Sequence, residues 1–325
     1  MTAFNVSASV GGTRIVGLAS HQPENVVSNH DLAARMETSD EWIRERVGIV
    51  NRRFADKDES LVDMAATAGK KALEDAGLTA ADIQGVIVAT CTMPSPIPNA
   101  AAQVADRIGV KAGPAFDVNA ACAGFCYALA TASDLVRAGT AKHVLVIGAE
   151  KLTDWVDPED RSTAIIFADA AGAVVVGASD EANIGPVSWG SAGDLAETIT
   201  IKDRNSFIHQ EGQSVFRWAT TQIAPVAIRA VELAGIELSD VDVFVPHQAN
   251  LRIIDAIAKR LRAKGARDDM VVARDIVESG NTSSASIPMA LDHMRAAGEI
   301  SSGDVVLLVG FGAGLSYAGQ VVRCP

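Results

Sequence analysis

The chain has 325 residues, 48% of them hydrophobic and 21% charged, and carries a formal net charge of −12. This is the composition of a well-buried globular protein with room for one large domain or two ordinary ones. The acidic excess gives no global field to attract nucleic acid or an anionic membrane, and four cysteines (Cys91, Cys122, Cys126 and Cys324) are too few for a disulfide framework and lack paired metal-ligand spacing.

Met1–Val6 does not read as a signal peptide, and no apolar run approaches the roughly 18 residues of a membrane span. A cytoplasmic protein with no metal site is expected.

In chain order, a helical pattern over Leu61–Ala76 precedes a buried strand at Gly85–Ala89. The Pro-rich stretch Met93–Asn99 reads as a loop. Further helices follow at Ala100–Ile108 and Gly124–Ala138, then strands at Val144–Ile147 and Val174–Val176. The second half continues with a helix at Val215–Ala234, a strand at Val241–Val245, a helix at Leu251–Lys264 and another near Ile287–Ala297. A strand at Val305–Val309 closes the series. Continuous apolar strands alternating with Ala-rich helices predict an α/β protein with a mainly parallel sheet covered on both faces.

The chain repeats itself. Ala76-Gly-Leu is followed by Asp82-Ile83 and a strand; Ala234-Gly-Ile is followed by Asp240-Val241 and a strand, 158 residues on. Val144-Leu-Val-Ile-Gly148 matches Val306-Leu-Leu-Val-Gly310 at an offset of 162. Two matches at nearly one offset indicate a duplicated unit. The boundary is expected in the polar stretch 178–186, dividing the chain into 1–180 and 181–325.

Cys122 lies in Phe116-Asp-Val-Asn-Ala-Ala-Cys-Ala-Gly-Phe125, between a strand end and a helix. A helix N-terminus lowers a thiol pKa, and its free N–H groups can bind an oxyanion. Free cysteine is equally often a small buried hydrophobe, the reading kept for Cys91, Cys126 and Cys324. In the second half, His247 follows a strand in Val245-Pro-His-Gln-Ala-Asn250, and Asn281 lies in the turn Ser279–Ser284. Each also has a structural reading, Asn281 as a helix cap. Gly310-Phe-Gly-Ala-Gly314 is a glycine turn without the lysine of a phosphate loop.

At these residues the sequence resembles the β-ketoacyl-acyl-carrier-protein synthase III family, from about Arg14 to Arg323. The resemblance rests on five blocks in the family's order: Thr38–Arg46, Ala115–Phe125, Pro246–Arg252, Gly280–Ala285 and Gly310–Gly314. It implies the thiolase fold, two similar halves in αβαβα layers, and a homodimer. It further implies Cys122, His247 and Asn281 as catalytic residues, the backbone N–H groups of Cys122 and Ala313 as oxyanion hole, and Phe311 beside the cysteine. An acyl-CoA would load Cys122, and malonyl-carrier protein would lose carbon dioxide and condense with the acyl group; no cofactor is implied.

Trp42, Arg46, Arg161, Gln213 and Asn250 would meet CoA. Ile97, Ile165 and Phe167 would shape the acyl pocket, and Arg217, Arg252, Lys259 and Arg260 would dock the acidic carrier protein. Three positions depart from the family pattern: Phe167-Ala-Asp-Ala-Ala-Gly172 where glycines are usual, Gln213 for Asn, and Ile97 for an aromatic or Thr. A polyketide-priming enzyme is the alternative. A non-catalytic partner subunit is opposed by Cys122, His247 and Asn281 being present, and a second thiolase cysteine has no counterpart after Gly310.

Overall fold

The computed structural model describes residues 11–111 and 113–325; the Met1–Val6 reading lies outside them. The first sheet takes its strands from Gly12–His21 (β1), Val86–Ala89 (β2), Ala115–Val118 (β3), His143–Lys151 (β4) and Asp169–Ser179 (β5), in the order β1-β5-β4-β2-β3. The second uses Ser188–Gly190 (β6), Val243–Pro246 (β7), Val271–Val272 (β8), Val305–Phe311 (β9) and Tyr317–Arg323 (β10), in the order β8-β7-β9-β10-β6. Both sheets are mixed, not mainly parallel. β4-β2-β3 and β8-β7-β9 are parallel, whereas β1-β5-β4 and β9-β10-β6 are antiparallel.

The two orders superimpose strand for strand, in the same directions: β6 corresponds to β1, β7 to β2, β8 to β3, β9 to β4 and β10 to β5. The repeat seen in the sequence is therefore structural. Even its turns match: Gly77 and Gly235, 158 positions apart, adopt left-handed φ of 65° and 73° after their helices, a conformation that costs glycine nothing.

Seven helices carry the argument: Asp40–Val47 (α1), Leu61–Asp75 (α2), Ala100–Ile108 (α3), Gly124–Arg137 (α4), Gly212–Ala234 (α5), Leu251–Arg262 (α6) and Ser286–Ala296 (α7). Their apolar residues recur at helical spacing; six of the helices find a sheet, and α1 buries Ile43 and Val47 in a cluster with Ile165, Ile254 and Ile276. α2 and α3 bury Met64, Ala68, Val104 and their neighbours against one face of the first sheet. α5 and α6 bury Ile223, Ala227, Ile257 and Leu261 against the second. α4 and α7 lie between the sheets, where Phe125, Leu129, Ile287 and Leu291 join strand residues of both in one cluster. The result is five layers, αβαβα. Among the described residues no helix is long and apolar enough to cross a membrane.

Candidate active site

The two central helices begin on matching turns. Ala121–Ala123 leads into α4 and Ser283–Ala285 into α7, and the non-glycine residues Ala121 and Ser283, 162 positions apart, sit at φ 45° and 49°. Backbone of this kind persists only where its surroundings hold it. The first turn carries Cys122; the second follows Asn281. Each is pressed by a strand of the opposite half. A Cβ added at Gly310 would come within 2.9 Å of Ala123 Cα, and one at Gly312 within 2.7 Å of Cys122 N and 3.0 Å of its Sγ. On the other side, a Cβ at Gly148 would come within 2.3 Å of Ser284 O.

The Cys122 sulfur opens on a cleft of about 1180 Å³ that is also lined by His247, Asn281, Phe311 and Ala313. Cys122 and Ala313 both lie in opening positions of short helical turns, where N–H groups have no intrahelical acceptor. The sequence expectation of an enriched thiolate is corrected here. Burial pushes the Cys122 thiol up to about 12, so at neutral pH the resting group is a thiol. Desolvation by the wall outweighs the short turn's dipole.

His247 follows β7, and its N–H is bound by Val309 O at 2.8 Å. It is fully buried, which pushes its imidazole down to about 3; it is neutral at physiological pH. Ser286 Oγ lies 2.8 Å from Nδ1 and accepts the Gln248 N–H at 3.2 Å. When the serine proton is donated to Nδ1, the ring proton sits on Nε2. Phe311 meets the ring edge-on, with centroids 5.3 Å apart.

Asn281 is clamped by two backbone bonds, its N–H to Ile166 O and its carbonyl from Ala168 N, both 2.9 Å. Its Oδ1 accepts the Ser283 N–H at 2.9 Å. That fixes the amide orientation and leaves Nδ2 as donor, 3.5 Å from Ala249 O. It does not act as the cap of α7. The alanines of the 167–172 departure are absorbed: Ala168, Ala170 and Ala171 are fully buried, and the Ala168 methyl faces Gly280, which has no side chain to oppose it.

The remaining predicted residues divide into three groups. Trp42, Arg46, Gln213, Asn250, Ile165, Phe167, Arg217 and Arg252 line the cleft. Arg161 and Arg46 sit over the Trp42 ring, 4.7 and 5.5 Å from its centroid. Asn250 also caps α6, accepting the Arg252 N–H at 2.9 Å and donating to Arg46 O at 3.2 Å. Lys259 and Arg260 are exposed farther along α6, outside the cleft. Ile97 does not line it either; it is 79% exposed, and Pro96 meets the cleft instead.

Several lining residues were missed by sequence reasoning. Cys91, read as a small buried hydrophobe, borders the cleft with its sulfur 3.9 Å from Ser283 Oγ. Leu152 and Trp155 line it just after β4, and their position beyond a strand's carboxyl end was the available signal. Cys126 and Cys324 are buried, as expected.

The arrangement combines a thiol, two neutral N–H donors aimed from separate elements, and free backbone N–H groups. It can hold an acyl group on sulfur and stabilise an oxyanion or enolate. Gly312→Ala should reduce acyl loading of Cys122 by about 100-fold or more, since the methyl would displace the nucleophile's backbone. Intact-mass measurement after acyl-thioester incubation would show it; loading at the native rate would refute this packing.

Comparison with known proteins bears on the same residues. The sequence profile of 3-oxoacyl-[acyl-carrier-protein (ACP)] synthase III matches residues 116–193, and that of its C-terminal region matches 231–324. Beta-ketoacyl-[acyl-carrier-protein] synthase III 4 of Streptomyces coelicolor is 50% identical over 317 residues, covering 97% of this chain and 99% of that one. The mycobacterial beta-ketoacyl-[acyl-carrier-protein] synthase III of Mycobacterium avium is 46% identical, covering 98% of both. Among solved structures, the priming β-ketosynthase of the R1128 polyketide biosynthetic pathway superimposes with a TM-score of 0.95 at 41% identity, covering 100% of this chain and 99% of that one. The 3-oxoacyl-[acyl-carrier-protein] synthase III of Aquifex aeolicus gives 0.90 at 39%, covering 96% and 100%. With the thiolase fold and a cysteine–histidine–asparagine cleft in place, the chain belongs to the 3-oxoacyl-[acyl-carrier-protein] synthase III family of condensing enzymes.

Proposed function

We propose that the protein transfers an acyl group from acyl-CoA to Cys122 and condenses it with malonyl-carrier protein, giving a 3-ketoacyl-carrier protein. The observation that carries this reading is the convergence of the Cys122 thiol with the neutral His247 imidazole and the Asn281 amide in one cleft. In the first step the Cys122 sulfur forms a thioester, the C–S bond to CoA breaks, and CoA leaves as a thiol with the proton that cysteine gave up. The Cys122 and Ala313 N–H groups bind the carbonyl oxygen as it becomes an oxyanion. In the second step the malonyl carboxylate leaves as carbon dioxide. Its electron pair forms an enolate whose oxygen is held by His247 and Asn281. The enolate carbon then attacks the thioester and Cys122 is released.

The outer cleft suits its two carriers. The Trp42 indole, with Arg161 and Arg46 above it, offers a face for adenine; a base between Trp42 and Arg161 requires the pair to open to about 7 Å, two contact distances. Gln213 and Asn250 line the pantetheine route. Arg217 and Arg252 at the mouth, with Lys259 a whole two turns from Arg252 and Arg260 beside it, form a basic stripe for an acidic carrier protein. A homodimer fits the edge strand β3, which pairs only with β2 among the described residues, and would give the exposed Ile97 a surface to meet. CoA is a substrate in this scheme and no cofactor is needed; its partners make the cytoplasm the expected compartment.

Loading with radiolabelled acetyl-CoA followed by malonyl-carrier protein tests the scheme. Label that never reaches the protein, or never leaves as 3-ketoacyl product, would overturn it. A polyketide-priming role is the second reading, favoured by the likeness to the R1128 enzyme. Primer length separates the two in practice, and Trp155 should limit it. Its indole lines the cleft and donates to Thr92 O at 3.0 Å, next to Cys91. Trp155→Ala should raise kcat/KM for an eight-carbon primer relative to acetyl-CoA by about 10-fold or more. An unchanged ratio would remove Trp155 from the acyl pocket.

A further inference from the structure

The scheme above leaves a buried carboxyl group beside the site unused. Glu150 ends the inner part of β4, is fully buried, and has no cation within salt-bridge distance among the described residues; the neighbouring Lys151 ammonium points instead to the carbonyls of Asp56 and Glu59. An isolated buried carboxylate is costly unless hydrogen-bonded on all sides, and here it is. Oε2 accepts from Thr92 Oγ1 at 2.6 Å, Thr90 Oγ1 at 3.1 Å and the Cys91 N–H at 3.1 Å. Oε1 faces the other half. It accepts from Ser283 Oγ at 3.0 Å, lies 2.8 Å from the Ser284 hydroxyl, and has the Cys91 thiol at 3.5 Å.

The duplication gives this position a counterpart. β4 corresponds to β9 at an offset of 162, so Gly148 matches Gly310 and Glu150 matches Gly312. In the second half, Gly310 and Gly312 press backbone against the Cys122 turn. In the first half, Gly148 presses on Ser284 and the next equivalent position reaches the same turn with a carboxylate. Ser283, which that carboxylate holds, is the residue whose N–H fixes Asn281 Oδ1, and it sits at positive φ.

We propose that Glu150 is a positioning residue for Asn281: its carboxylate locks the Ser283–Ser284 turn, so that Nδ2 of Asn281 faces the malonyl thioester oxygen. This rests on the condensation scheme above. The ionisable groups facing the carboxylate are the two thiols, Cys91 and Cys122. Burial first, and then the nearby Glu150 charge, hold both thiols up, which supplies a second readout.

Three measurements on Glu150→Gln test the proposal, with folding followed by urea midpoint. Decarboxylation of malonyl-carrier protein should fall by about 30- to 100-fold, while acetyl-CoA loading of Cys122 stays within about threefold. Alkylation of Cys122 by iodoacetamide at pH 8 should become several-fold faster, because a negative charge beside the thiol is gone. In an Asn281→Ala background, Glu150→Gln should lower decarboxylation little further, as residues acting through one another are non-additive. A parallel fall of loading and decarboxylation, unchanged decarboxylation, unchanged alkylation, or full additivity with Asn281→Ala would each overturn it. Should Glu150→Gln not fold, Ser283→Ala removes one Oε1 bond together with the hydroxyl's contacts to the neighbouring thiols and should lower decarboxylation about tenfold; native decarboxylation by folded Ser283→Ala overturns the proposal. If the wild-type protein does not decarboxylate malonyl-carrier protein, the condensation scheme fails first. The Asn281 side-chain amide resonance in ¹⁵N spectra still decides the positioning claim, which predicts a shift in Glu150→Gln and is overturned by none.

Discussion

Cys122→Ala should abolish labelling by radioactive acetyl-CoA and lower condensation by at least about 10⁴-fold, the scale on which removal of a covalent nucleophile acts. The same variant should still decarboxylate malonyl-carrier protein within about tenfold of the wild-type rate. That separation follows from geometry. In the proposed scheme the enolate oxygen is held by His247 and Asn281, whose supports are Ser286, Val309, Ile166, Ala168 and Ser283; none of these supports runs through the Cys122 side chain. The methyl group left behind is smaller than the thiol and fits the same turn. Filter-binding of labelled protein and release of carbon dioxide measure the two halves independently. Labelling that persists at the wild-type level in the alanine variant would mean that Cys91 or another group carries the acyl chain.

Asn281→Asp should have the opposite selectivity. Loading of Cys122 should stay within about threefold, whereas decarboxylation at pH 8 should drop by about 10³-fold. A buried anion there replaces a donor and repels the developing enolate. Its pH dependence has a defined sign. Position 281 is only 5% exposed, so burial raises the pKa of the new carboxyl group. As pH falls from 8 toward 6 the group gains a proton, becomes a donor again, and activity should rise. His247 is pushed down to about 3 and does not titrate in that window; Asp169, raised to about 6 by burial, is shared with the wild type, so the slope that exceeds the wild-type profile belongs to the new aspartate. A variant whose decarboxylation instead falls with decreasing pH would refute the donor role of Asn281.

What the sequence disclosed depended on whether a residue's neighbours are local. The αβ alternation, the repeat at 158–162 residues and the turn around Cys122 are local patterns, and they gave an α/β protein built from a duplicated unit; the five layers were implied by the family resemblance alone. The sheet edges were missed because β1 pairs with β5 across about 160 residues, and nothing in Gly12–His21 announces an antiparallel partner that distant. Site residues behaved alike. Cys122, His247 and Asn281 each follow a strand or precede a helix, and the three line one cleft. Cys91 and Glu150 acquire meaning only when Ser283 and Ser284 arrive from the other half. The error on the Cys122 thiol has the same origin: the helix terminus is visible in sequence, but the wall that removes its water is not.

The crossed support of the two turns also has a consequence for synthesis. A chain that has emerged only as far as the first sheet contains the nucleophile and all of the helix behind it. It lacks the strand whose glycines press Ala123 and Cys122 into place, and it lacks both donors. The emerging half also has Gly148 and Glu150 waiting for a turn that is not yet made. Acyl chemistry thus waits for the second half, at the arrival of Gly310 and Gly312 against Ala123 and Cys122. The fold thereby keeps an unfinished enzyme from consuming thioesters.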